Sequence, residues 1–504
     1  MPRFFEKSVW LMCLLMFAVC VGCETTDYEP LIMKKKLKEM QAEIDSLKAE
    51  VEALKKSGVA PGSAQGGSAQ GGTAQVGTVA AGPKPASTIP APPTPPAPRV
   101  PAEPSMAVAE EAQIRAELEN ADAYFVMDDS GYAVEADLLE CRSPNDALAK
   151  LAEFPKLTKI LVDGTKADSA TYDLLAKISR LEHLELERSS PNAEDFEKLK
   201  SLKNLTFLQL FKATLSADGM KVLSEFPRLE QVRCGQTRVG DEELSYLSNL
   251  KTLKAIDLSD CNRVTIAGLE SLSKCPKLAF LKVWGPSINN EGMKLVAQMK
   301  NLKVLGLNDT RVDDEGIKLL AGLDLTELHL FRTKVGDEGL KVLSEMPNIT
   351  SLNLRDTRLS DQGIEYLSKL NKLRKLDLSE CNSPGITDAA GASLAKLSSL
   401  SQLNLWSTTA SDALVQQLTG MSNLTWLNLD NTKITDDGVA MLAKMPQLTW
   451  LHLGKTAITD REIKVLLGLE NLKYLNISYT KISEDGYYEL DDFFAPKGCE
   501  VIAP

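Results

Sequence analysis

The sequence predicts an α/β solenoid, with a parallel sheet lining the inside of a curve and helices on its outside. Three observations predict it. One pattern returns fourteen times at a nearly constant step, and each copy contains a short segment in which apolar and other residues alternate. A Ser, Thr or Asp next to a carboxylate follows several of those segments, as in Thr435-Asp436, Thr459-Asp460 and Ser360-Asp361, and apolar residues at helical spacing come after it. Period-2 patterning is the signal of a half-buried strand and 3.6-period patterning that of a helix, so each unit reads as strand, turn and helix.

Before the pattern begins, the chain has a different character. Arg3 and Lys7 precede an apolar run from Val9 to Gly22. Such a run is shorter than the roughly 20 residues of a membrane span but suits the core of a leader at 1–22. It ends in Cys20-Val21-Gly22-Cys23, which resembles the lipobox of bacterial lipoproteins, although Cys20 stands where Leu is usual. That resemblance implies a mature chain starting at Cys23, acylated there and tethered to a membrane. Glu24 in place of Asp favours the outer membrane. Within 23–57, Met33, Leu37, Met40, Ile44, Leu47, Val51 and Leu54 alternate steps of four and three, the seam of a coiled coil. Self-association through 33–54 and a single solvated helix both fit a segment this short. Residues 58–104 are first Gly/Ser/Ala/Gln-rich and then Pro-rich, the composition of a flexible and then stiffer spacer.

Residues 105–156 are expected to cap the solenoid, with a hairpin from Phe125 to Val134 around Asp128-Asp129-Ser130-Gly131. The repeats occupy 157–504, together with a C-terminal cap containing Phe493, Phe494 and Cys499-Glu500-Val501-Ile502. Their first positions are Leu157, Leu181, Leu205, Leu229, Leu253, Leu278, Leu302, Leu325, Ile349, Leu373, Leu400, Leu424, Leu448 and Leu472. One unit reads Leu302, Leu305, Leu307, Thr310, Val312, Asp314, Gly316, Ile317, Leu320. Periods of about 20–29 with L-x-x-L-x-L mark leucine-rich repeats, and this one resembles the helix-bearing repeats of the GALA and ribonuclease-inhibitor-like group. The buried position after the strand, usually Asn in that group, is mostly Thr here: Thr310, Thr333, Thr357, Thr432, Thr456 and Thr480. Ser or Thr before an acid, as in Thr435-Asp436, predicts a helix N-cap with a carboxylate near the positive end of the dipole. Pro227, Pro276, Pro347 and Pro446 are expected to stop the helices before them.

The composition narrows the chemistry. A net charge of −12 argues against a nucleic-acid surface. Cys141, Cys234, Cys261, Cys275, Cys381 and Cys499 read as small buried hydrophobes rather than ligands. His183, His329 and His452, the chain's three histidines, lie several repeats apart, so neither a triad nor a metal site is expected. Phosphate-loop and dinucleotide fingerprints are absent from the sequence, so no enzyme and no cofactor is expected. Alternation of strand side chains sends one set of columns to the concave face. Those columns carry Phe207, Phe211, Phe280, Trp284, Phe331, Trp406, Trp426, Trp450 and Tyr474, with Arg355, Arg332, Arg233, Lys282, Glu185 and Glu187 among them. The expected role is recognition of a protein or peptide partner on that face. Binding of a cell-wall or surface polysaccharide along the aromatic strip, and a structural spacer in the envelope, are the alternatives.

Overall fold

A computed structural model describes residues 106–383 and 385–503. The leader, Cys23, the heptad segment and the linker lie outside the described residues. The described residues open with helix α1 (Val108–Glu119) and a hairpin of β1 (Tyr124–Met127) and β2 (Ala133–Leu138). Gly131, at φ +87, makes the hairpin's turn. From β2 onward, sixteen strands follow in chain order, each parallel to the one before, ending at Glu500–Ile502. Together they form one sheet of 17 strands.

The register is one residue column per repeat. Leu352, Leu376, Leu403, Leu427, Leu451 and Leu475 are successive partners across the sheet. All fourteen first-position residues, from Leu157 to Leu472, are buried in one continuous core, as are the strand leucines. A lone repeat would expose this apolar face, so burial comes only from stacking.

Three polar ladders order the stack, two of them running between neighbouring repeats. After most strands a residue takes the left-handed conformation, as at Arg332 (φ 53), Asp356 (φ 51), Asn431 (φ 54) and Lys455 (φ 51). Non-glycine residues pay roughly 1–2 kcal/mol for this conformation. The same turn lets the amide of Arg332 donate to the Arg355 carbonyl at 3.0 Å and that of Asn431 to the Gly454 carbonyl at 2.9 Å. The ladder threonines satisfy carbonyls inside their own repeats: Thr310 Oγ1 donates to Leu307 O at 2.7 Å and Thr456 Oγ1 to Leu453 O at 2.6 Å. Cys381, at the same position, donates its thiol instead across the repeat boundary, to Leu354 O at 3.1 Å, the carbonyl that Thr357 Oγ1 also reaches. Burial pushes the Cys381 thiol up to about 11, so it carries no thiolate at neutral pH.

The third ladder gives the helix-start acids a second role. Thr435 caps Asp436–Leu442 as expected, its hydroxyl accepting from the Asp437 amide. The acid that follows such a cap turns to the next repeat. Asp412 accepts from the Thr435 amide at 2.8 Å and hydroxyl at 2.5 Å, and Asp436 treats Thr459 the same way at 2.7 and 2.8 Å. The helix stops also differ from expectation. Helices preceding Pro227, Pro276, Pro347 and Pro446 end at Leu223, Leu272, Leu343 and Leu442, four residues ahead of the proline. Helices in repeats without that proline end at the equivalent Leu247, Leu367 and Leu418. The turn that returns the chain to the sheet ends the helix, and proline only occupies a position already outside it.

Candidate functional site

Strands such as Gln402–Asn404, Trp426–Asn428 and Trp450–His452 bury their middle residue and leave its flanks half-exposed. Parallel register then sets like columns side by side, pairing Trp426 with Trp450 and Trp450 with Tyr474. Strand spacing of about 4.8 Å suits ring stacking. The Trp426 and Trp450 centroids are 4.1 Å apart at 14°, and those of Trp450 and Tyr474 are 4.7 Å apart at 2°. Ring faces therefore cover one another, and the half-exposed stack presents its edges. Asn476 Nδ2 donates to the Tyr474 hydroxyl at 3.2 Å, fixing the end of the strip.

A second group adjoins it. The Arg355 guanidinium lies 4.8 Å from the Phe331 ring centre and 4.7 Å from that of Trp406. Its Nε donates to Glu380 Oε2 at 2.7 Å, which orients it. Arg332 approaches the same Phe331 ring at 4.4 Å. Arg–aromatic contacts of this kind hold a cation in place while leaving some of its donors free for a partner.

Asp430 and His452 join the two groups. Asp430 hydrogen-bonds the Trp406 side chain, and its carboxylate stands 3.8 Å from His452 Nδ1, beyond hydrogen-bond range. Nδ1 instead accepts from the Gly454 amide at 3.3 Å, which places the neutral ring's proton on Nε2. Burial, with Lys455 adding repulsion, pushes the imidazole down to about 4. Burial also raises the Asp430 carboxyl, against the pull of Lys455, the Asn431 amide and Trp406. Both groups are shifted toward neutrality, as partly desolvated groups are, rather than held as an ion pair.

Six of the expected contact residues are thus contiguous: Phe331, Arg355, Trp406, Trp426, Trp450 and Tyr474. Phe207, Phe211 and Trp284 stand apart. Phe207 is buried, stacked on His183 at 3.8 Å with Arg233 at 5.2 Å. Phe211 lies beside Lys212 at 5.2 Å. Trp284 is half-buried, and its indole N–H is buried without a partner among the described residues. Nine strand spacings, on the order of 43 Å, separate the Phe207 column from Trp426. Near Phe207, Gln209 bridges Glu185 and Glu187 at 2.9 and 3.0 Å, and burial with Glu185 alongside raises the Glu187 carboxyl. Asp430, Glu380, Lys455 and Tyr479 were not among the expected residues. Asp430 shares the column of Trp406 and was open to the same reasoning. Tyr479, 71% exposed, sits at the left-handed turn, outside the columns that strand alternation identifies.

Among the described residues no group of three or more His, Cys, Asp or Glu side chains is placed to hold a metal. No curated protein matches the chain. Solved structures with related folds include an internalin from Listeria monocytogenes, at 19% identity and TM-score 0.41, covering 78% of this chain and 93% of that one. A Leptospira interrogans leucine-rich-repeat protein matches at 17% identity and TM-score 0.41, over 70% and 91% of the two chains. The structure of a TLR13–ssRNA13 complex matches at 20% and 0.45, over 66% and 57%. A family profile described as a leucine-rich repeat region matches residues 236–502, just over half of the chain. With its sequential parallel sheet and its ladder of buried leucines, this chain belongs to the leucine-rich-repeat family, whose solenoids commonly serve as binding scaffolds.

Proposed function

We propose that the chain is an envelope-anchored binding module that recognises a protein or peptide partner on the helix-free face of its sheet, from Phe331 to Tyr474. The observation that carries this reading is the contiguity of two preorganised groups, the ring stack and the Arg355 sandwich, joined at Asp430 and His452. Trp, Tyr and Arg dominate binding hot spots, and side chains already held in place lose little rotamer entropy on binding. Stack geometry also bears on the polysaccharide alternative. Sugars lie against ring faces, and the faces between Trp426, Trp450 and Tyr474 are taken up by neighbouring rings at 4.1 and 4.7 Å. Ring edges and an oriented guanidinium suit peptide groups better. In this proposal acylation at Cys23 tethers the chain to the membrane, and residues 58–104 hold the repeats away from it.

The test retains envelope proteins of the source cell on the purified chain and on Trp426→Ala/Trp450→Ala. Each truncated hot spot costs on the order of 2 kcal/mol, about thirtyfold in Kd, so the retained partner should be lost from the double variant. Unchanged retention refutes the site. Retention of isolated cell-wall glycan, abolished by the same pair, selects the polysaccharide reading. Anchoring is read from the intact mass of the membrane-fraction chain, which should begin at Cys23 with added acyl mass. A chain in that fraction without acyl mass rules the anchor out.

A further inference from the structure

The first edge of the sheet is unguarded. β1 hydrogen-bonds to β2 alone, and none of the backbone groups of residues 124–127 bonds any other described residue. Its sequence, Tyr124-Phe125-Val126-Met127, holds neither charge nor proline. Phe125 turns inward against Phe154, at 6.0 Å between rings. Tyr124, Val126 and Met127 are 43, 40 and 47% exposed. They are three of the six large hydrophobics exposed among the described residues, gathered on one four-residue strand. Edge strands are normally protected by lysines, prolines, inward charges or bulges, because their open N–H and C=O groups accept another strand. The one irregularity here falls at Met127 and leaves Tyr124 to Val126 regular. Flanking acids do not repel an incoming strand strongly, since Asp122 is paired with Arg142 at 2.9 Å and Asp128 with Lys156 at 2.7 Å. At the opposite edge the terminal strand carries Glu500.

We propose that β1 pairs antiparallel with β1 of a second copy of this chain, continuing the sheet across a two-fold axis. An uncharged apolar strand is complementary to its own copy. A two-fold contact uses the same patch on both copies and closes at two. Four residues of ladder are weak alone, and here the sequence provides a tether. The heptad spacing of 33–54 suits a parallel pairing of two copies of this chain. Such a pairing raises the effective concentration of the two edges. The added strand lies beside β1 in the plane of the sheet and leaves the helix-free face uncovered.

The experiment places a cysteine on the edge of the full chain, as Val126→Cys and separately as Tyr124→Cys. Each is oxidised with copper phenanthroline and the linked peptides are mapped by mass. The six cysteines among the described residues are buried, so they contribute little background. Leu319→Cys, at a 38% exposed site on a helix, is the control. Circular dichroism confirms that each variant is folded. The expected result is a disulfide joining the 124–127 peptide to its own copy, at no less than tenfold the control yield in at least one edge variant. Yields at the control level in both variants overturn the proposal. Linkage of the new cysteine to Cys499 also overturns it, because it reports stacking of one molecule's first edge on another's last.

Discussion

At the scale of single residues, His452 is the most informative position on the proposed surface. In the same column, Asn428 and Asn476 accept from amides two residues on, at 2.9 Å each, and His452 Nδ1 does the same with Gly454. A neutral acceptor is what this position requires, and burial enforces it by lowering the imidazole from 6.5 to about 4. The linkage sign follows. In this window the unfolded chain binds a proton that the folded chain refuses, so stability rises with pH. The contribution is complete above about 6.5 and is lost as pH falls toward 4. Between pH 7 and 4.5 it amounts to about 2–3 kcal/mol. His452→Asn keeps the acceptor and removes the titration. Its denaturation midpoint should therefore fall less than the wild type's over that range, by about that margin. Asp430, raised by burial, contributes with the opposite sign in both proteins and cancels from the comparison. Parallel pH profiles for the two proteins would show that His452 is not kept neutral.

At the scale of elements, the acid that opens several helices, as Asp361 does after Ser360 and Asp436 after Thr435, is a contact between repeats as much as a helix signal. The sequence explains the cap, because Ser and Thr accept from orphan amides in any helix. It cannot display the acid's target, which is a different repeat some 23 or 24 residues on. That target explains Gly268. A Cβ on Gly268 would stand 2.7 Å from Asp241 Oδ1 and 2.8 Å from Leu244 Cδ1, while the Gly268 amide donates to the same oxygen at 2.9 Å. Gly268→Ala should therefore destabilise by about 1–3 kcal/mol through overpacking. The cost should shrink in an Asp241→Ala background, where the obstructing oxygen is gone. Gly420→Ala provides the contrast. Nothing lies within 4 Å of its Cβ position, and its φ is not positive, so it should be neutral or stabilising by about 0.4–1 kcal/mol. Equal losses from the two glycine substitutions, measured by chemical denaturation, would contradict the contact.

At the scale of the whole molecule, what could be read in advance was whatever recurs. Fourteen copies of one leucine pattern predicted the sheet and its core because every repeat obeys the same burial rule, and strand alternation located the aromatic columns for the same reason. The Asp430–His452 junction depends on distances between particular repeats, which no single repeat encodes. Helix α1 was illegible for a different reason: only Glu111 and Leu118 of its twelve residues are buried, so it has no apolar stripe. What fixes α1 is polar. Glu111 is fully buried, and its Oε1 accepts from the Ala133 amide at 2.6 Å with Arg115 Nε 3.5 Å away. Arg115 in turn donates to the Gly131 carbonyl at 3.1 Å. Glu111→Ala orphans the Ala133 amide and removes the partner of Arg115, a loss of about 2–3 kcal/mol. In a stack where each unit touches only its neighbours, that loss stays near the end that suffers it. Hydrogen exchange should accelerate by on the order of tenfold or more at amides of residues 133–187 and remain unchanged across 402–476. An acceleration spread evenly to the last repeats would mean that the stack opens as one cooperative unit, and that α1 guards the whole molecule rather than one end of it.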